Sequence, residues 1–339
     1  MGIEQLSKVA IVALKKAPKK VSIKIMPDSC ETRKLFSELS KSTKKVKLPT
    51  KTEQIKMSKN QLNMYNKRMR HRIQASLTEN FDTKKAKLVE EYLRIGEKDL
   101  AKHISKAKTP EQLSKILTKH DVGEISKIAK INSNIIHESG QVKSATTLEL
   151  EQTIYNEKMY RGKLVLAREK ALHIASKNPK VIAIENILKE QYGCKFVSLK
   201  DNELIANRIL KAYETAHKNG APLPKNVIVS DNIFVEGENL FNGTILLNSN
   251  PITLGKGYCS TGADYHSVLH EILHSSHPNI VSYSIKKIPK ELMGVKNDLS
   301  MYSKISQTHE TFVELNTKRM IEGLTPKEQQ LFEHLNFFA

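Results

Sequence analysis

Apolar residues recur at helical spacing through the middle of the chain, from about residue 60 to residue 190. Leu62, Tyr65, Met69 and Ile73 are three or four positions apart, and a similar series begins at Leu88. Such spacing places side chains on one face of an α-helix. The pattern predicts a mainly helical region with short loops and no fixed-period repeat.

Beyond residue 191 the pattern changes to short apolar runs that alternate with one amphipathic segment. Asn242-Gly243 directly precedes an apolar run, which is typical of a hairpin turn that leads into a strand. We therefore predict an α+β fold, in which a mainly helical basic N-terminal region is followed by a domain with a small mixed sheet. The predicted elements are strands at 194–199, 226–230, 233–235 and 244–248 and a helix at 203–217.

The balance of basic and acidic residues also changes near residue 200. Lys and Arg outnumber Asp and Glu by 42 to 21 in residues 1–200, whereas the ratio is 13 to 15 in residues 201–339. A break of this kind is typical of a domain boundary. We predict a flexible basic segment at 1–58, a helical basic region at 59–190 and a separate domain at 191–339.

The basic region suggests an anionic partner, either nucleic acid or a membrane surface, for residues 1–190. Its densest run is 67–72, but no DNA- or RNA-binding motif accompanies it, which favours a solvated helix surface over a binding function. No apolar run approaches the roughly 20 residues that span a bilayer. Lysines follow rather than precede the short apolar run at 9–14, so we predict no transmembrane segment and no cleavable signal peptide, and leave the location, cytoplasmic or exported, open.

The segment 270–274 contains the candidate metal-binding and catalytic residues. It reads His270-Glu271-Ile-Leu-His274, and two His four positions apart project from one face of a helix, where both imidazoles can bind one metal ion. Zinc prefers such nitrogen ligands and keeps one position for water in catalytic sites. Glu271 is then the general base. The alternative is a helix with spaced histidines and no metal.

The presence of a third metal ligand elsewhere in the chain would distinguish a zinc site from a helix with spaced histidines. Ile280 stands where a metzincin would carry its third His, which excludes that family. His277 lies one turn too far along the helix, so we assign it a supporting or capping role. Glu310, in a second predicted helix, would complete a two-His, one-Glu site. The helix dipole favours Glu in the first turn of a helix, whether or not that Glu binds a metal. His309 is an alternative ligand, which would point elsewhere if Glu310 faces the metal.

The spacing of these residues resembles the gluzincin zinc metallopeptidases, in particular the group similar to the catalytic domain of anthrax lethal factor. That group follows His-Glu-x-x-His with Tyr-Ala-x and then Glu-x-Phe-Ala-Glu. Here the matching residues are Tyr302-Ser303-Lys and Glu310-Thr-Phe-Val313-Glu314. Ser303 and Val313 replace small Ala positions, and Tyr302 stands one residue further from Glu310 than in the family. The resemblance covers residues 191–339, and such domains occur in bacterial toxins and effectors and in phage-associated proteins.

The resemblance implies one Zn²⁺ per chain, bound by His270, His274 and Glu310. Glu314 would orient a ligand His, and Tyr302 would donate a hydrogen bond to the oxyanion, with Tyr283 or His266 as alternatives. The implied activity is endopeptidase cleavage of an extended protein or peptide substrate, which would pair with the 244–248 strand as an edge strand.

Two other functions compete with this one. The first is a nucleic-acid-associated or phage-structural protein with an accessory or inactive metallopeptidase-like domain. The second is a cysteine hydrolase that uses Cys259 with His266 and Asp264, although no family motif surrounds Cys259.

Overall fold

The computed structural model describes residues 73–119, 144–230, 236–250, 257–276, 288–306 and 308–336, with four helical positions between 64 and 71. For residues 144–154 and residue 305 it describes the main chain alone. The segment 1–58, the strand predicted at 233–235, His277 and Tyr283 lie outside the described residues.

The described part of the basic region is helical, as its apolar spacing predicts. Its helices are α1 (Phe81–Arg94), α2 (Lys98–Ser105), α3 (Ser144–Ala171) and α4 (Pro179–Glu190), with further helical segments at 73–78 and 110–119. Leu88, Ile104 and Leu113 form a small core, and Leu164 of α3 joins it. Within the described residues, no helix combines the length and apolar character that a bilayer crossing requires.

The strands form one mixed sheet in the described residues, which confirms the predicted α+β fold. Its strands are β1 (Phe196–Ser198), β2 (Asn226–Ser230), β3 (Gly237–Asn239) and β4 (Thr244–Asn248), and helix α5 (Glu203–Lys218) connects β1 to β2. The strand order is β1-β2-β4-β3, in which β1, β2 and β4 are parallel and β3 is antiparallel to β4. The β3–β4 connection contains the predicted turn, where Gly243 has a φ of 78°.

The prediction that Thr244–Asn248 is an edge strand is wrong. This strand pairs with β2 on one side and β3 on the other. The first four of its five residues are buried, as expected for a strand covered on both faces. Within the described residues, the sheet's edge strands are β1 and Gly237–Asn239, and the edge next to Thr244–Asn248 is Gly237–Asn239.

Both faces of the sheet are covered by helices. On one face, Val227, Ile245 and Leu247 pack against α4, α5 and the helix that carries the His-Glu-x-x-His motif. On the other face, Val165 of α3 packs against strand residues Ile228 and Leu246. Helices from before residue 191 thus contribute to the core around the sheet. The predicted division into domains stays a prediction.

Helices also form the C-terminal part. They are α6 (His266–Leu273), α7 (Lys290–Leu299), α8 (Met301–Ile305), α9 (Thr308–Ile321) and α10 (Pro326–Asn336), and a 3₁₀ turn (His274–Ser276) continues α6. Phe312 and Leu315 anchor α9 in a core with Leu331 and Leu335 of α10. On its other side, α9 packs against α6. This contact brings Glu310 and Glu314 to the motif histidines.

Candidate metal centre

The three predicted ligands meet at one point. Oε2 of Glu310 lies 3.0 Å from Nε2 of His270 and 3.3 Å from Nε2 of His274. One nitrogen or oxygen atom of each residue lies within 4.8 Å of the other two, and all three residues are buried. Residues about 40 positions apart in sequence therefore form a group that could hold a metal ion.

The spacing of these donor atoms fits a tetrahedral ion. Ligand atoms about 2.1 Å from a tetrahedral zinc lie about 3.4 Å from one another. The two Glu310 distances lie close to that value. Two imidazoles and one carboxylate are also the donor types of catalytic zinc sites with three protein ligands.

The electrostatics of the group favour a cation. Burial by itself lowers the pKa of His270, but hydrogen bonds and charge from Glu310 and Glu314 outweigh it and raise the pKa to about 10. Burial would raise the pKa of Glu310, yet the charge of His274 and hydrogen bonds from the surrounding histidines hold it well below its usual range. A positive charge is thus stable at His270, between these carboxylates, whereas burial lowers the pKa of His274 and favours its neutral form, which can bind a metal.

Glu314 lies behind His270, as the resemblance implies. Its Oε1 is 3.1 Å from Nδ1 of His270 and 2.8 Å from Nε2 of His266. The main-chain N–H of Ser260 donates to its Oε2 at 2.9 Å. Burial would raise the pKa of Glu314, but His266 and His270 hold it well below its usual value. The carboxylate is therefore ionised and can orient the His270 ring.

His266, His270 and Glu314 form a second group of potential ligands. The two groups share His270 through different ring nitrogens, and a neutral imidazole has one nitrogen lone pair available. If Nε2 of His270 binds a metal, Nδ1 carries the proton and faces Glu314. Both nitrogens of His266 already have partners, since Thr261 Oγ1 lies 2.9 Å from its Nδ1. The group with Glu310 is the better metal site.

Glu271 is held against the edge strand. The main-chain N–H of Asn239 donates to Oε2 of Glu271 at 2.9 Å, and the Asn239 side chain donates to the Glu271 carbonyl at 2.7 Å. With Gly237, His270 and Tyr302, Glu271 lines one cavity. One carboxylate oxygen is thus fixed by the strand, and the group borders the space beside the three predicted ligands.

Gly237 allows this close approach, so we expect Gly237→Ala to displace Glu271. A Cβ at position 237 would lie 2.6 Å from Cγ of Glu271 and 3.0 Å from Cδ2 of Leu247. Activity that depends on Glu271 should fall by roughly tenfold or more, since small misplacements of catalytic groups are costly. Metal content should not change. Turnover and bound metal measured on the same sample test this, with Gly294→Ala as control because its Cβ would meet no atom within 4 Å.

Tyr302 also reaches the site, despite its extra residue of spacing. Its ring centroid lies 5.5 Å from that of His270. Burial, followed by the charges of Glu310 and Glu271 and a hydrogen bond to Glu310, raises the pKa of Tyr302 well above its ordinary value. The hydroxyl therefore keeps its proton and is a hydrogen-bond donor beside the proposed ligands.

His309 differs from its predicted orientation. It does not point away while Glu310 faces the histidines, because its Nε2 lies 3.2 Å from Oε1 of Glu310. The two carboxylate oxygens thus have separate contacts: Oε2 faces the two motif histidines and Oε1 faces His309. Sequence reasoning also missed Asn239 and Gly237, whose one sequence signal is their place just before the Asn-Gly turn.

The cysteine hydrolase alternative finds no support in this geometry. Burial raises the pKa of the Cys259 thiol, which keeps it protonated and weakly nucleophilic. Asp264 lies near Arg208 and Lys211, and His266 is held by Thr261 and Glu314. The three residues do not form a triad.

Comparison of the chain with known protein families, with curated proteins and with solved structures found no significant match.

Proposed function

We propose that the chain is a zinc-dependent endopeptidase, with His270, His274 and Glu310 as metal ligands and Glu271 as general base. The observation that carries this proposal is the meeting of three buried donor atoms beside a cavity that Glu271 and Tyr302 line. A structural metal site needs neither of those two side chains.

The chain's own residues would share the chemistry as follows. A bound zinc ion supplies the Lewis acidity that lowers the pKa of water towards 7. Glu271 accepts the proton from the attacking water with the oxygen that Asn239 does not hold, and passes it to the departing amine. Tyr302 donates a hydrogen bond to the oxygen that becomes negative when the peptide carbonyl is attacked.

The edge strand β3 is the element best placed to bind an extended substrate. Asn248 N donates to Glu236 O, and Leu240 N donates to Thr244 O, so these residues bond to β4. Since alternate residues of a strand bond to opposite sides, the main chain of Gly237 and Asn239 faces away from β4. The Asn239 N–H on that side already donates to Oε2 of Glu271, so a peptide that added a strand there would have to displace this hydrogen bond and would lie next to Glu271.

The test is to purify the full chain, measure its zinc content and assay cleavage of a library of quenched fluorescent peptides. We expect about one zinc per chain and cleavage that a chelator stops and added zinc restores. Zinc-free protein that binds DNA in a salt-sensitive manner would instead favour the nucleic-acid-associated alternative.

A further inference from the structure

We propose that Phe241 is a positioning residue that fixes His274 and makes helix α3 part of the metal centre. This inference rests on the proposed function of that centre. Phe241 lies in the hairpin turn between β3 and β4 and has a φ of 58°. A bulky residue rarely adopts this left-handed conformation, and such strain persists where the surroundings demand it.

The surroundings of the Phe241 ring explain why a phenylalanine stands there. The ring lies edge-to-face with His274, at a centroid distance of 6.3 Å and an angle of 88°. Towards α3, it lies 5.2 Å from the Tyr155 ring, and Nζ of Lys158 is 5.3 Å from its centroid. The ring therefore contacts a proposed metal ligand as well as two side chains of the basic helical region. Glycine would fit the backbone better but would remove all of these contacts.

Two further contacts hold the β3–β4 hairpin against α3. Arg161 donates to Glu238 of β3 at 2.6 Å, and both side chains are buried. Gly162 allows the helix to approach closely, because a Cβ there would lie 2.6 Å from Cγ of Asn242. Both contacts hold α3 and the hairpin in one relative position.

The same turn is also connected to Glu271, the proposed base, through Asn239. The main-chain N–H of Phe241 donates to Oδ1 of Asn239 at 2.8 Å, and Asn239 in turn holds the Glu271 side chain through its own N–H. One short segment thus contacts both the ligand His274 and the base Glu271. The basic helical region is connected to the chemistry through residues 237–243.

The test separates positioning from folding by a change that relieves strain. In Phe241→Gly of the full chain, the backbone keeps its left-handed turn without a Cβ, while the contact with His274 is lost. We expect a modest fall in Tm, because relief of backbone strain offsets only part of the lost ring packing and of the greater freedom of the unfolded chain. The Kd for zinc, measured by chelator competition, should rise by about tenfold, the lower range for the loss of a group that orients a ligand.

Phe241→Tyr retains the ring and should bind zinc as wild type does. Lys200→Gly is the matched control, because Lys200 has a φ of 51° outside the metal centre and is exposed. It should leave the Kd for zinc unchanged. Tyr155→Leu weakens the helix side of the contact and should raise the Kd in the same direction by a smaller factor.

An unchanged Kd in Phe241→Gly overturns the inference, and so does a lower Tm with no change in Kd, which would show a purely structural role. An unchanged Kd in Tyr155→Leu alone would overturn the participation of α3. Failure of wild-type protein to bind zinc would instead refute the metal centre itself, and the role of Phe241 with it.

Discussion

Replacement of Glu271 by Gln should leave zinc bound and lower kcat by roughly 10²- to 10⁴-fold, the usual contribution of a general base. Gln has nearly the shape of Glu, and its carbonyl oxygen can still accept the hydrogen bond from the N–H of Asn239. What the variant loses is the ability to take a proton from water. Steady-state kinetics and metal analysis of the same preparation measure both quantities.

The matched control for this change is Glu333→Gln, on the exposed side of α10. It makes the same chemical substitution outside the metal centre and should behave as wild type. Turnover close to the wild-type rate in Glu271→Gln would exclude Glu271 as the base. Loss of zinc in that variant would mean that Glu271 contributes to binding rather than to proton transfer.

Replacement of Glu310 by Ala should raise the Kd for zinc by more than about 100-fold, which exceeds the effect of losing a group that only orients a ligand. Its Oε2 faces both motif histidines, and removal of the side chain leaves two nitrogen donors. Cleavage should disappear with the metal. The Kd for zinc from chelator competition is the measurement that decides.

The variant Glu310→Gln separates the effect of the carboxylate charge on zinc binding from the effect of side-chain volume. It preserves side-chain volume but offers a neutral oxygen, so it should bind zinc more weakly than wild type and more tightly than Glu310→Ala. Glu190→Ala, at the exposed end of α4, is the control and should bind zinc normally. If Glu310→Ala holds one zinc per chain with unchanged affinity, another residue must be the third ligand, and His309 is the first to examine.

Several features of the site could be predicted from local sequence because they depend on local geometry. The i, i+4 spacing of His270 and His274 sets them on one helix face, and the same spacing does so for Glu310 and Glu314. Short apolar runs predict the sheet strands 226–230 and 244–248, which the structure places at those residues. Tyr302 and Glu314 came from the family resemblance, and the structure brings both next to His270.

Other features depended on which elements pack together. A run of apolar residues cannot reveal whether a strand is central or at an edge, because both kinds bury at least one face. The order β1-β2-β4-β3 therefore had to come from the structure, and it moved the edge from Thr244–Asn248 to Gly237–Asn239. The direction of His309 was misjudged for a related reason, since its contact with Oε1 of Glu310 depends on where that carboxylate lies.

The sequence by itself determined that His270 and His274 share a helix face with Glu271 beside them, that the described part of the basic region is helical, and that strands lie at 226–230 and 244–248. All of these follow from spacing along one element or from the chemistry of one short motif. Tertiary structure alone decided that Glu310 meets both histidines, that Asn239 holds Glu271, and that α3 contacts the hairpin beside His274 through Phe241. These contacts join residues from about 30 to about 90 positions apart, and their geometry is fixed by how helices and sheet pack rather than by any local pattern.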